Sequence, residues 1–409
     1  MPHESPLIAT IAVGLAFAFA GGYLAQRLRL PPLVGYLLAG VAVGPFTPGF
    51  IADPHVAPQL AEIGVILLML GVGMHFSIGD LWAVRGIALP GAIAQIVAAT
   101  LMSVGVAWLW GWPLGASLVF GLALSVASTV VLLRTLEARG RLNTEDGRIA
   151  VGWLIVEDLV TVLALVMLPA LAHPLGAPAA GAAPAGDLFL ALGLALGKVA
   201  VFVALMLVVG TRLFPWLLKR VETTGSRELF TIAVIGLALG VAYGSARLFE
   251  VSLALGAFFA GMVIKESDLS HRAATDLRPL RDVFAVLFFV AVGMLFDPEI
   301  LVQRPLQVAA VVAIVVVGKS LAALAIVLAL GRPLRTALTV SAALAQIGEF
   351  SFVLAGLGGA LGLLPPEATS LVVAGALLSI TLNPLVFSAV ERLASGEPRA
   401  GREATASST

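Results

Sequence analysis

Two adjacent carboxylates, Glu157 and Asp158, lie in a stretch that carries no other charged side chain from Ile149 to Gly186. One Asp at the centre of a membrane helix costs roughly 3 kcal/mol on insertion scales, so intramembrane acids are rare and usually serve ions or protons. An ionised carboxylate can hold a monovalent cation and release it on protonation. The pair therefore indicates an ion or proton site.

Neighbouring residues on a helix point about 100° apart, so the two acids are not expected to face one ion directly. Glu157 is either a second ligand or proton carrier, or a partner for a polar group elsewhere in the core.

Other apolar segments contain further polar side chains that could support this site: Lys319, Ser128, Thr129, Gln346 and Glu349. The lysine could neutralise Asp158 until a cation displaces it, or it could balance the acids permanently. The hydroxyls and the amide could supply oxygen ligands or satisfy backbone groups freed by a helix break. Glu349 could balance the dipole ends of broken helices, or it could be an ion ligand.

The composition is typical of a helical membrane protein. Of 409 residues, 60% are hydrophobic and 12% are charged, about half the charged fraction of a soluble domain. Runs of about 20 apolar residues recur, which is the length that crosses a bilayer. The chain has no cysteine, which excludes disulfides, thiolate catalysis and Cys-ligated metals. No catalytic motif stands out, so we expect neither an enzyme nor a bound cofactor.

The apolar runs predict an all-α polytopic protein with thirteen transmembrane helices. We expect one transmembrane domain over 1–394 and a polar cytoplasmic tail over 395–409. The candidate spans lie near 6–26, 31–49, 58–78, 84–110, 113–137, 147–172, 187–213, 228–247, 250–264, 279–296, 299–328, 333–361 and 366–393.

Most of the 24 Lys and Arg residues fall on alternate connections between these spans. The positive-inside rule then predicts an outside N-terminus and a cytoplasmic C-terminus in the inner membrane. This topology also accounts for the basic loops, so nucleic acid is not an expected partner. Membrane lipids are the expected surroundings.

The chain resembles itself at an offset near 220 residues: Gly73-Met74 corresponds to Gly293-Met294, and Gly40 to Gly261. The offset spans seven helices, an odd number, so the two copies would point opposite ways through the membrane. We therefore expect a first repeat over 6–172, a connector helix over 187–213 and a second repeat over 228–393. Inverted repeats are typical of secondary transporters. Spans five and twelve are the expected broken helices.

With these features the sequence resembles the Kef-like branch of the monovalent cation:proton antiporter-2 family. The matching segments are LVGYLLAGVAVGP (33–45), EIGVILLMLGVGM (62–74), GWLIVEDLVTVLAL (152–165), LGAFFAGMVI (255–264) and AQIGEFSFVL (345–354). The resemblance implies a sodium/proton-antiporter-like fold with 6+6 inverted repeats, two crossed broken helices, a homodimer and elevator-like alternating access. It also implies that Asp158 is the carrier and that Lys319 lies near it.

Two departures from the family's pattern matter. Kef potassium-efflux members carry Gln where this chain has Glu157, and they append a nucleotide-binding domain for which this chain shows no module. We expect exchange of K⁺ or Na⁺ for H⁺. The alternatives are a sodium-coupled organic-solute symporter and a gated potassium efflux channel.

Overall fold

The computed structural model describes residues 6–49, 51–53, 56–75, 78–142, 144–177, 188–249 and 251–395. Within these ranges all regular secondary structure is helical. The α-helices are α1 Pro6–Arg27, α2 Pro32–Ala42, α3 Val56–His75, α4 Ile78–Leu109, α5 Leu114–Ser125, α6 Thr129–Ala138, α7 Glu145–Leu171, α8 Leu188–Leu205, α9 Thr211–Glu222, α10 Arg227–Phe249, α11 Leu253–Lys265, α12 Ser270–Met294, α13 Ile300–Gln303, α14 Pro305–Val312, α15 Lys319–Ala329, α16 Leu334–Ala343, α17 Glu349–Ala360 and α18 Pro366–Ser395. Two π-helical turns, Met206–Gly210 and Ala313–Gly318, join α8 to α9 and α14 to α15.

Among the described residues, eight helical segments are long and apolar enough to cross a membrane. They are α1, α3, α4, α7, the α8–α9 segment, α10, the α14–α15 segment and α18. Four shorter apolar helices, α2, α5, α11 and α17, accompany them. The protein is thus a helical, multi-pass membrane protein. The count of thirteen spans stays a prediction, and the predicted tail beyond Ser395 lies outside the described residues.

One helix begins well before its candidate span. The run at 279–296 is part of α12, which starts at Ser270 and includes a charged first half. There Arg272 lies 3.7 Å from Asp276 one turn later, and Arg227 of α10 lies 2.8 Å from the same carboxylate. Such i,i+4 and interhelical pairs support helix in a charged stretch. An apolar-run criterion finds only the membrane part of such a helix.

Several helix crossings among the described residues are built on glycine, and two of them join distant parts of the chain. α2 meets α12 at Gly40 and Gly293, and α3 meets α11 at Gly73 and Gly261; a Cβ on any of the four would overlap a carbonyl oxygen of the facing helix. Small residues let membrane helices approach backbone to backbone. These contacts join α1–α3 and α10–α12 into one group of helices, while α4–α7 and α14–α18 pack as a second group.

Polar contacts at one end of the second group fix the start of α7, the helix that carries both central acids. Thr144 caps α7 by accepting a hydrogen bond from the Gly147 N–H at 3.2 Å. The next two residues reach the start of α16: Asp146 accepts from the Thr336 hydroxyl at 2.6 Å, and Glu145 pairs with Arg332 at 3.0 Å. α7 and α16 are therefore tied together at this end.

Candidate ion-binding site

Two helices are interrupted in the second group, and the interruptions meet. α5 ends at Ser125 and α6 begins at Thr129, with Val126 and Ser128 in extended conformation between them. α16 ends at Ala343 and α17 begins at Glu349. The Gly348 N–H donates to the Val126 carbonyl at 3.2 Å, so the two breaks touch main chain to main chain. These breaks fall in candidate spans five and twelve.

Gln346 joins the two breaks with its amide. Its Oε1 accepts from the Ser128 N–H at 2.8 Å, and its Nε2 donates to the Ser128 carbonyl at 3.2 Å. The side chain is fully buried. Buried backbone groups need partners, and this one side chain serves both polar groups of Ser128. Gln346 therefore binds backbone groups that the helix breaks leave unpaired. This is one of the two roles expected for it, the other being that of an oxygen ligand.

Three more buried side chains satisfy backbone groups at the breaks, and sequence reasoning missed them. Gln95 of α4 donates to the Ser125 carbonyl at 3.2 Å. From α18, Asn383 donates to the Ala342 carbonyl at 2.9 Å and Ser379 accepts from the Ile347 N–H at 3.3 Å. An available signal was the presence of amide side chains, Gln95 and Asn383, within long apolar helices.

Ser128 and Glu349 lie at the N-termini of α6 and α17, the helices that follow the two breaks. The Ser128 hydroxyl accepts from the Val131 N–H at 3.2 Å and donates to Glu349 Oε2 at 2.9 Å. Glu349 is the first residue of α17 and is buried. A carboxylate at a helix N-terminus is stabilised by the unpaired N–H groups of the first turn. This contact holds the two N-termini close to one carboxyl group.

Asp158 lies beside the start of α6. Its Oδ2 accepts a hydrogen bond from the Thr129 hydroxyl at 3.0 Å. Its Oδ1 is buried and makes no hydrogen bond to any described residue. Only 4% of the residue is exposed. Glu349 and Glu157 both interact electrostatically with it, so acidic groups are concentrated around Asp158.

Glu157 points into a different environment from Asp158. Its Oε2 accepts from the Ala127 N–H at 2.9 Å, within the extended segment of the first break. It interacts electrostatically with the ammonium of Lys319. Lys319 in turn donates to the Gln346 carbonyl at 3.1 Å, in the second break. Of the two roles left open for Lys319, this interaction fits a balance of the acids, and a role of Lys319 in neutralising Asp158 stays a prediction.

A π-helical turn precedes Lys319. The Lys319 N–H donates to the Ile314 carbonyl five residues earlier, where an α-helix would use a residue four earlier. The wider turn inserts one residue, which rotates all later side chains about the helix axis relative to a continuous α-helix. Lys319 is fully buried as a result, while Val317 and Leu321 on either side are more than half exposed. π-turns recur at functional sites.

The structure thus brings together all seven residues singled out in the sequence: Asp158, Glu157, Lys319, Glu349, Thr129, Ser128 and Gln346. Within the described ranges, no group of three or more His, Asp or Glu side chains could hold a metal ion. The acids are spread over the crossing, and each has its own partners. Asp158 as ligand of a monovalent cation stays a prediction.

Gly348 allows a test of how closely the two helix breaks pack against each other. A Cβ on Gly348 would overlap the Ala127 carbonyl group, whereas a Cβ on Gly359 in the same helix region would meet nothing within 4 Å. We expect Gly348→Ala to destabilise the protein by about 1–3 kcal/mol through overpacking and to separate the two breaks. Thermal unfolding of the purified protein measures the first effect and cation exchange the second. Gly359→Ala is the matched control, and equal behaviour of the two variants would contradict the observed crossing.

Fold and site together define a polytopic membrane protein with buried acids at a crossing of two interrupted helices. The family described as "Sodium/hydrogen exchanger, transmembrane" matches residues 14–391. YbaL of Escherichia coli (strain K12), which is named as a candidate cation/proton antiporter, is 60% identical over 392 residues, covering 96% of this chain and 70% of YbaL. K(+) efflux antiporter 4 of Arabidopsis thaliana is 33% identical over 93% of this chain and 63% of its own length.

A solved structure of the sodium proton antiporter MjNhaP1 from Methanocaldococcus jannaschii also matches. Its TM-score is 0.69 at 17% identity, over 96% of this chain and 99% of that one. At this identity the likeness concerns the fold alone. The chain belongs to the sodium/hydrogen exchanger transmembrane family, and the expected relation to cation:proton antiporters is confirmed.

Proposed function

We propose that this protein is a secondary antiporter that exchanges a monovalent cation, K⁺ or Na⁺, for protons, with Asp158 as the group that carries each in turn. The names of the relatives support the class of transport. The observation that carries the assignment is the free oxygen of Asp158. It is buried, has no hydrogen-bond partner among the described residues and lies beside other acids.

Competition at this one carboxylate is enough for antiport. When Asp158 is ionised, Oδ1 can bind a dehydrated cation while Oδ2 keeps its hydrogen bond to Thr129. When Asp158 is protonated, its charge is lost and the cation leaves. The Asp158 carboxylate is occupied in both directions of the transport movement: it carries a cation in one direction and a proton in the other. Its alternation couples the two fluxes without any cofactor.

Glu157 is proposed as a fixed charge and not as a second carrier. Its bond to the Ala127 N–H and its attraction to Lys319 hold it toward the first break. Lys319 is then the permanent balance for that acid. Ser128, Gln346 and Glu349 are proposed to keep the two breaks in register around Asp158.

The proposal includes an elevator-like movement of the second helix group against the first, in a fold with inverted repeats. The two glycine crossings support the repeat, since an offset of 220–221 residues converts the Gly40–Gly293 pair into the Gly261–Gly73 pair. Thirteen spans, an outside N-terminus, a cytoplasmic C-terminus and an inner-membrane location belong to the same proposal. A homodimer is expected to cover exposed apolar side chains of the α8–α9 segment, such as Val201 in α8 and Val208 in the π-helical turn.

The test is transport by the purified protein in liposomes that contain a pH-sensitive dye. After an imposed pH gradient, addition of K⁺, Na⁺, Rb⁺ or Li⁺ in turn should move protons for at least one cation. Cation movement without protons would indicate a channel, and a requirement for an organic solute would indicate a symporter. Silence toward all four cations would overturn the antiporter assignment.

A further inference from the structure

One short pattern of side chains occurs twice in the first helix group, once at the end of α1 and once at the end of α10. Each copy has a tyrosine, an arginine four residues later and a leucine directly after the arginine: Tyr23, Arg27 and Leu28 in one, Tyr243, Arg247 and Leu248 in the other. The two copies are separated by the repeat offset of 220 residues. The chain has only three tyrosines, so two of them belong to this pattern.

In both copies the arginine lies over the ring of its tyrosine. The guanidinium carbon of Arg27 is 5.2 Å from the centre of the Tyr23 ring, and that of Arg247 is 5.5 Å from the centre of the Tyr243 ring. Each arginine also donates to the tyrosine hydroxyl: Arg27 from Nη2 at 2.6 Å and Arg247 from Nε at 3.2 Å. The two copies therefore share one local structure as well as one sequence pattern.

Both Tyr–Arg pairs are exposed on the surface of the helix group. Tyr23 is 52% exposed and Tyr243 is 60% exposed, and the adjacent Leu28 and Leu248 are largely exposed as well. Among the described residues, each arginine makes its hydrogen bonds to its own tyrosine and not to a carboxylate. Each copy thus presents a positive charge without a counter-charge, a hydroxyl and an apolar side chain on one surface.

The two pairs lie at opposite ends of the helix group. α1 and α2 form a hairpin, and α2 runs in the direction of α12, because Gly40 lies against Val290 and Gly44 against Met294. The C-terminus of α1 is therefore toward the start of α12. α10 begins at this same end, where it shares an ion pair with the first turns of α12, so its C-terminus is at the other end.

The positive-inside rule does not explain both pairs. The predicted topology places Arg27 on the cytoplasmic side, as the rule requires, but it places Arg247 on the outer side, where arginine is disfavoured. Arg304, which is also predicted on the outer side, is 3.2 Å from Glu367 and so has a counter-charge within the chain. Arg247 needs another reason to be there, and its partner must come from outside the described residues.

We propose that the two Tyr–Arg pairs bind the phosphate groups of phospholipids, one in each leaflet of the membrane. A guanidinium group matches the geometry of a phosphate and binds it through parallel N–H donors. The tyrosine hydroxyl accepts from the arginine, so its own proton is free to donate to a second phosphate oxygen. The exposed leucine beside each arginine contacts the acyl chains.

Tyrosine and arginine are also the residues that anchor membrane helices at the headgroup level. Two bound headgroups, one at each end, fix the depth of the first helix group in the bilayer while the second group moves. This anchoring role rests on the proposed function, whereas the binding of phospholipid does not.

The test is native mass spectrometry of the purified full chain with added phosphatidylglycerol, whose headgroup has no ammonium of its own to occupy the phosphate. We expect two tightly retained lipids per chain. Arg27→Gln and Arg247→Gln should each weaken one of them by about tenfold, as for loss of hydrogen bonds to a charged group, and the double variant should weaken both. Tyr243→Phe keeps the ring and should weaken one lipid by less. Arg278→Gln is the matched control, because Arg278 is exposed but lies 4.0 Å from Asp282.

The role of the phosphate is tested with two further probes. Diacylglycerol, which has the same chains without the phosphate, should not be retained at these positions, and inorganic phosphate at equal concentration should not displace the lipid. Retention of diacylglycerol, displacement by inorganic phosphate, or two tightly bound lipids in the double variant would each overturn the proposal. So would a loss of dimers in the double variant with unchanged lipid binding, since the pairs would then belong to a protein interface. None of these readouts requires transport, so they stay valid if the antiporter assignment fails.

Discussion

Replacement of Asp158 by asparagine should reduce cation-driven proton movement to the level of empty liposomes, while the protein still folds. Asparagine has nearly the same shape and can accept the Thr129 hydrogen bond that Asp158 Oδ2 now receives. It cannot be protonated or carry a charge at any working pH. The one group that would bind the cation and the proton in turn is therefore lost.

The measurement is dye-reported exchange in liposomes at saturating and at low cation concentration. The control is Asp268→Asn, because Asp268 is exposed in the loop between α11 and α12 and the same chemical change there should leave exchange unaltered. Retained exchange in Asp158→Asn would move the carrier to another residue, and Glu349 would be the next carboxylate to test.

A second large effect is expected when one member of the Glu157–Lys319 pair is removed. Glu157→Gln keeps an acceptor for the Ala127 N–H but leaves the Lys319 ammonium buried without its counter-charge. Lys319→Met does the reverse. Loss of one of two interacting buried charges leaves the other uncompensated, which costs at most the roughly 3–5 kcal/mol of a broken buried ion pair, whereas replacement of both charges is often neutral. Each single variant should therefore unfold at a markedly lower temperature.

The double variant Glu157→Gln/Lys319→Met should recover most of the lost stability. Thermal unfolding of all four proteins gives the coupling between the two positions. Glu266→Gln and Lys219→Met make the same chemical changes at exposed sites and serve as controls. If the two single effects simply add in the double variant, the two charges do not depend on each other, and Lys319 balances some other group.

Sequence reasoning picked out the charged residues that the structure brings to the crossing, because charge in apolar helices is costly and therefore visible. Asp158, Glu157, Lys319 and Glu349 all stand out in this way, and the structure brings them to one crossing. The residue that Lys319 interacts with was harder to predict from the sequence. The direction of the Lys319 side chain depends on the π-helical turn Ala313–Gly318, which shifts the helix by one residue and has no clear signature in the composition.

Uncharged groups were the harder part of the site. Gln95, Ser379 and Asn383 bind backbone atoms of the breaks, but a neutral amide or hydroxyl in a long helix does not reveal which helix it will face. The need for such residues was predictable, since interrupted helices free backbone groups in a dry interior. Their identity depends on tertiary packing of α4 and α18 against the crossing.

The fold was predictable to the extent that apolar length determines membrane helices. The early start of α12 at Ser270 was not, because its first half is held by ion pairs such as Arg272–Asp276 and has no apolar signal. Hydropathy predicts that the chain is helical and in which order its apolar helices follow one another. The helix boundaries outside the membrane depend instead on contacts between distant segments.

The glycine crossings of α2 with α12 and of α3 with α11 have a mechanical consequence. Contact there is main chain against main chain, so the joints contain no rotamers through which one helix could slip past the other. We therefore expect the first helix group, α1–α3 with α10–α12, to be stiff, because its helices meet backbone to backbone. In the proposed elevator-like movement, displacement of the acid-bearing helices would therefore be accommodated where side chains, not glycines, face each other.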